Sequence, residues 1–504
     1  MSEENTVFNA KQQPVAKQSQ LPPTMSAVND NVDQTFPVAD PSPPTQPPPQ
    51  ASDLKAKINQ QNDQQPTVFK LISIVALLAV LAILCFAAWN VYQDWKSKQV
   101  DKSVAIPPVL PTPKEVTYDK KQYQETRDLP LAFNSFGLNL FKVLTLKQDQ
   151  NVFISPSSIA LVLSMLNNGA NNQTQDEIAE GLNIKGMDLT QLNQGSAKLI
   201  AFIQNADPEI KINLANAVWA QQGADFKAEF LEANRQYYGA KAENLDFAGP
   251  NAVKTIDAWR KESLGAENAS QLEVQAATDT QVYVANLVAF KGLWTYGFDK
   301  KLNQEKDFTA VDGSSQKIPF MNQYREDFMY LDSSAFQAVA LPLGKNKNLN
   351  LYIFLPKNTL EDFLSELNQS NLDTWLENFA KTEGSFSLPK FNISYQTELK
   401  EALETLGLKL AFSSKADFKK LTDKKLALTN VMHQSLIEID EAGADNTAVT
   451  DAEMEQVLGA STKEFKTDQA FELEVNKAFV FLILNKDNND ILFIGAVKQL
   501  NNSN

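Results

Sequence analysis

The run from Leu71 to Ala88 passes without a single charged residue, and Trp89, Tyr92 and Trp95 follow it directly. A stretch of that length and composition, closed by aromatic residues where a membrane–water interface would fall, reads as a transmembrane helix. It begins after some seventy polar residues, too late for a cleaved leader. The competing reading, a buried core helix, would need flanking globular segments, and the sequence provides none there. Residues 71–89 are therefore expected to anchor the chain as a single-pass membrane protein.

The residues on either side divide accordingly. Every glycine lies at or beyond Gly137, whereas nearly half of the 23 prolines precede Thr67. Residues 1–67, rich in Pro and Gln, lack the apolar content of a packed core and read as a disordered tail. Residues 68–95 hold the membrane helix, and 96–126 form a linker whose Ile106 to Pro113 stretch reads as a stiff polyproline stalk. Lys55, Lys57 and Lys70 on one side are matched by Lys96, Lys98 and Lys102 on the other, so charge alone does not orient the helix.

From residue 127 to about 500 the patterns become globular. Ser155-Pro156 reads as an N-cap and first helical residue, and the apolar Ile159 to Leu166 stretch predicts a fully buried helix closed by Gly169. Thr174 to Glu177 reads as the capping box of a short helix ending near Gly181. Strands are predicted over Val282 to Phe290, Leu349 to Leu355, Ala478 to Leu484 and Ile491 to Val497. Helices gather early and strands late without βαβ alternation, which predicts an α+β domain and disfavours a doubly wound nucleotide fold.

Several function classes are excluded early. The net charge of -15, with no clustered basic face, argues against a nucleic-acid partner. The single cysteine, Cys85, lies in the apolar run, so the globular region has neither disulfide nor thiol nucleophile. His433 is the one histidine, too few for a multi-histidine metal site, and beside Val431, Met432 and Leu436 it reads as a hydrogen-bonded core residue. Hydrolase chemistry, metal sites and cofactors are not expected, and the chain is not read as an enzyme.

Five blocks in order then carry a resemblance: Asn151 to Ile159, Val284 to Trp294, Leu388 to Phe391, His433 to Gly443, and Ile491 to Gly495. On these the region 127–500 resembles the serpins. The resemblance implies three β-sheets, about nine helices and an exposed reactive-centre loop. It further implies inhibition of serine proteases, with cysteine proteases as a second class, by a conformational trap. After attack by the protease, the loop inserts as a new strand in the main sheet and carries the acyl-linked protease with it. Matching positions place a polar sheet-opening cluster at Ser155, Ser158, Asn286 and His433, and a salt bridge between Glu441 and Lys390 with Trp294 packed nearby.

The loop hinge implied by the resemblance comprises Glu441, Gly443, Ala444, Asn446 and Ala448. From Ala444 onward the chain alternates: Ala444, Asn446, Ala448, Thr450, Ala452 and Met454 face one way, and the more polar Asp445, Thr447, Val449, Asp451, Glu453 and Glu455 the other. That is the period of a strand with one buried face. Burying the Asn446 amide without partners costs about 1–3 kcal/mol and would slow insertion. The family spacing from Glu441 places the reactive bond at Val457-Leu458, ahead of Lys463 and Lys466 in a lengthened loop. The expectation is a monomeric, membrane-tethered protease inhibitor with its domain outside the cytoplasm. The alternative is a non-inhibitory serpin acting as a binding or chaperone-like module.

Overall fold

The computed structural model describes residues 128–265, 274, 276–443 and 470–500. The expected tail, membrane helix and linker, and the loop positions Ala444, Asn446, Ala448, Val457 and Leu458, lie outside them. Helix α1 (Asp128–Lys147) leads into strand β1 (Val152–Ile154), then α2 (Pro156–Asn167), α3 (Asn172–Gly181) and α4 (Leu189–Gln204). Strand β2 (Ile210–Gln221), helix α5 (Ala228–Tyr238), strand β3 (Lys241–Leu245), helix α6 (Ala252–Leu264) and strand β4 (Val282–Gly292) follow.

Four strands come next, β5 (Gln304–Thr309), β6 (Ser315–Asp332), β7 (Phe336–Leu343) and β8 (Leu349–Pro356), before the short helices α7 (Leu360–Glu366) and α8 (Gln369–Glu377). Then come β9 (Ala380–Pro389), β10 (Phe391–Glu398), helix α9 (Lys400–Thr405) and β11 (Asn430–Ile439). Beyond the loop lie β12 (Phe471–Glu474), β13 (Phe479–Asn485) and β14 (Asp490–Val497). The predicted strands are all present within a residue or two of their expected ends.

Two hydrogen-bonded networks result. A five-stranded sheet runs β10-β11-β4-β2-β3, and nine strands join in the order β1-β14-β13-β8-β7-β6-β9-β12 with β5 on β6. Two of the three expected sheets thus merge through β6. Its first part pairs β5 and β9, and its end, Met329 to Asp332, pairs β7. Strands β8, β13 and β14 are buried throughout, which is why they read as unbroken apolar runs.

Helix α2 is buried on every face, as expected, and Gly137 of α1 lets it approach. A Cβ at Gly137 would stand 2.2 Å from the Pro156 Cβ. Among the described residues, Leu129–Lys147 is the one helix long and apolar enough to cross a membrane. Most of it is buried in the domain core, where Phe133, Phe136 and Phe141 sit at 1% exposure or less.

Two expectations need correction. Helix α3 starts at Asn172, so Thr174 lies inside it rather than capping it, and its hydroxyl accepts from the Asp417 backbone N–H at 2.9 Å. A contact 243 residues away thus takes the hydroxyl that a capping box would use. One βαβ unit also exists: β2 and β3 pair in parallel across α5.

Candidate functional site

The centre of the five-stranded sheet is a seam between strands far apart in the chain. Strands β4 and β11 lie side by side and parallel, paired from Tyr283 opposite Asn430 to Phe290 opposite Ile437. Strand β2 flanks β4 antiparallel, and β10 flanks β11 antiparallel. A strand entering between β4 and β11 and running against both would replace one parallel ladder by two antiparallel ones, and parallel pairing is the slightly weaker of the two.

A row of polar side chains crosses this seam. Thr397, His433, Asn286 and Asn216 are register partners on β10, β11, β4 and β2. The His433 Nδ1 lies 2.6 Å from the Asn286 Oδ1, so the ring nitrogen donates and the amide oxygen accepts. The Asn286 amide donates to the Ser158 Oγ at 2.6 Å and to the Asn216 Oδ1 at 2.7 Å. The side chains of His433, Asn286, Ser158 and Asn216 are all at 2% exposure or less. Three neighbouring strands, β11, β4 and β2, and the first turn of α2 therefore share one network, of the kind that holds a sheet in a single state.

Burial drives the His433 pKa down to about 3, so the ring is neutral at physiological pH. Ser155, expected in the cluster, acts one step back. Its Oγ accepts from the Ser158 N–H at 3.3 Å and caps α2, which fixes the turn carrying Ser158. Asn216 was missed by the sequence reading. Its signal was a lone amide within the apolar run Leu214 to Ala220, but only strand register brings it to Asn286. Ser435, two residues beyond His433, adds another tie by donating to the Phe153 carbonyl of β1 at 2.5 Å.

The second part of the site lies where β11 ends. Glu441 is 3% exposed, and the Lys390 Nζ stands 3.1 Å from its carboxylate, as expected. Asn303 donates a further hydrogen bond to Glu441, which the sequence reading did not foresee. Burial alone would raise the Glu441 pKa, but the hydrogen bonds from Asn303 and Lys390 more than offset it and hold the carboxyl below its ordinary range. Trp294 packs edge-on against Phe298 and donates from its indole to the Asp440 carbonyl at 2.8 Å.

Residues 440–443 reverse the chain. The Asp440 N–H donates to the Gly443 carbonyl at 2.8 Å, and the Gly443 N–H donates back to the Asp440 carbonyl at 3.2 Å. Gly443 then bridges Leu293 antiparallel, one residue beyond β4, and the Trp294 N–H donates to the Ala442 carbonyl at 3.0 Å. Glycine is required there. Its φ is +129°, and a Cβ would fall 2.3 Å from the Gly292 carbonyl oxygen. The chain thus leaves β11 already turned back towards the edge of β4. The remaining hinge residues and the expected reactive bond lie outside the described residues. Among the described residues, no group of three or more His, Cys, Asp or Glu is placed to hold a metal ion.

Comparison with known proteins places this geometry. The family model for "Serpin (serine protease inhibitor)" matches residues 131–500. The chain is 29% identical over 391 residues to a serine protease inhibitor of Rattus norvegicus, covering 75% of this chain and 91% of that protein. It is 29% identical over 384 residues to "Leukocyte elastase inhibitor" of Bos taurus, covering 73% of this chain and 98% of that protein. Among solved structures it is similar to the thermophilic serpin Tengpin in the native state, with a TM-score of 0.64, 27% identity and coverage of 76% and 95%. With the family model covering most of its length and a fold shared with solved serpins, the chain belongs to the serpin family, and these relatives are named as protease inhibitors rather than enzymes.

Proposed function

We propose that this serpin is a membrane-anchored suicide-substrate inhibitor of serine proteases, with cysteine proteases as a second class, and that its loop inserts between β4 and β11. The observation that carries this reading is the closed parallel seam with Gly443 already seated antiparallel beside β4 at Leu293. The loop leaves on the correct strand end, in the correct direction, to continue as the missing strand. The alternation from Ala444 to Glu455 supports it, since every second residue is small or apolar apart from Asn446 and Thr450. Relatives named as inhibitors support it as well.

The reactive bond is Val457-Leu458, which suits elastase-like or subtilisin-like enzymes. Residues 71–89 anchor the chain in the membrane and concentrate it at a surface. The domain lies outside the cytoplasm and works as a monomer. Limited proteolysis of the loop in the full-length protein, held in detergent, tests the mechanism. The cleaved molecule should unfold at a far higher temperature than the intact one, because the inserted strand completes the sheet. An unchanged midpoint after cleavage would contradict insertion. For the anchor, the chain should stay with membranes after alkaline extraction, and external protease should reach the domain on intact cells. Protection of the domain with digestion of residues 1–67 would reverse the orientation.

A second reading rests on Asn446. Its amide falls on the inward face of the alternation, and an unpaired amide there slows insertion relative to hydrolysis. Each 1.4 kcal/mol on that step changes the partition about tenfold, which would favour a non-inhibitory binding module.

A further inference from the structure

A second buried network meets the same turn of α2 from the opposite side. Ser157, between Pro156 and Ser158, donates from its hydroxyl to the Asp490 Oδ1 at 2.7 Å, and both side chains are fully buried. Asp490 opens β14 and pairs in register with Asn485 at the end of β13. Its Oδ2 has no hydrogen-bond partner, nor have the buried amide nitrogens of Asn485 and Asn488. The oxygens of those two amides are already taken, by the backbone N–H groups of Asp487 at 3.0 Å and Asp490 at 3.1 Å. One acceptor and two donors are thus left over around a single carboxyl, a concentration that buried polar groups normally avoid.

The groups facing Asp490 are neutral. From α1 comes Asn134, whose amide holds the Ile491 N–H and the Asn489 carbonyl; from α2 comes Ser157; from β13 and its turn come Asn485 and Asn488. The charged residues of that turn, Lys486 and Asp487, are exposed and half-exposed. On the seam side of α2 the titratable group is His433, neutral as described. Burial raises the Asp490 carboxyl to about 7, and the Ser157 hydrogen bond opposes that rise. The start of α2 also favours the anion. A group with a raised folded pKa stabilises the fold fully below its ordinary range, and this contribution is lost as pH rises through about 7.

We propose that Asp490 is a protonation-dependent positioning residue for the seam: neutral, it leaves the first turn of α2 holding Ser158 on Asn286; ionised, it loosens that hold. An ionised carboxylate with one hydroxyl donor is under-solvated in a packed interior. The donors available to it, the free amides of Asn485 and Asn488 or an entering water, require the end of the β13–β14 hairpin to shift against Ser157. Ser157 and Ser158 are consecutive residues of one helical turn, so the shift reaches Asn286. The seam therefore opens more easily above neutral pH than below it.

This inference rests on the reading of β4 and β11 as the strands that part, but its test needs no protease. Hydrogen exchange of the β4 and β11 amides, corrected for intrinsic rates, is followed in the full-length protein in detergent from about pH 5.5 to 8.5. The wild type should lose about fivefold or more of its protection across this range relative to Asp490→Asn. Ser157→Ala should move the loss to higher pH, because the bond that favours the anion is gone. Identical pH profiles in the wild type and Asp490→Asn would overturn the proposal. So would a pH-dependent unfolding midpoint that leaves β4 and β11 protection unchanged. If Asp490→Asn fails to fold, the direction of the Ser157→Ala shift decides alone: no shift, or a shift to lower pH, overturns it. A chain that never traps a protease could still pass this test, so the two failures remain distinguishable.

Discussion

One carboxamide, that of Asn286, ties His433, Ser158 and Asn216 together within 2.7 Å of its two polar atoms. Asn286→Ala would leave all three buried groups short of a partner, so it should lower the unfolding free energy by about 2–4 kcal/mol in urea titrations. His433 carries a pH signature. Its folded pKa is depressed to about 3 by burial, so its contribution is fully present above its ordinary range and is lost as pH falls towards that value. The wild type should therefore lose stability between pH 7 and pH 4 more steeply than His433→Gln, as read from thermal midpoints. At Glu441 the carboxyl is held down by Asn303 and Lys390 against the effect of burial. Lys390→Met should cost about 1–3 kcal/mol at neutral pH. The cost should shrink once acid protonates Glu441, since a neutral carboxyl no longer needs the ammonium.

Among the elements, β4, β11 and α2 do the positioning, and the turn at 440–443 decides where the loop sets out. Gly443→Ala forces a side chain onto a φ of +129° and into the Gly292 carbonyl. It should displace the turn from Leu293 and slow insertion, seen as more cleaved and less trapped serpin per protease consumed. Much of this was legible beforehand. Buried strands such as β4, β8 and β13 announce themselves as apolar runs, and α2 as a capped apolar helix. Other features depend on partners that no local pattern reveals. Asn216 joins the seam only through the register of β2 on β4, and Thr174 gives its hydroxyl to Asp417 instead of capping α3. The parallel β2–α5–β3 unit escaped notice because the buried stripe of α5 is Phe230, Asn234 and Tyr238. A polar residue in the middle of that stripe breaks its apolar period, and the amide there bonds back to the Phe230 carbonyl at 2.8 Å.

For the molecule as a whole, the proposed mechanism makes the closed seam a state with a stronger alternative. Eight residue pairs of parallel ladder separate the present sheet from one with a further antiparallel strand. In the proposed mechanism the polar row at Asn286 holds the first state until the loop is cut. Trapping by insertion therefore stands or falls on the fate of the cleaved loop. The most direct measurement is to mix the full-length protein in detergent with an elastase-like and a subtilisin-like protease, resolve the products on a denaturing gel, and sequence the released fragment. Insertion predicts an adduct of serpin and protease that survives SDS, together with a C-terminal fragment beginning at Leu458. Clean cleavage of the loop with no adduct, and a protease that remains fully active, would contradict it.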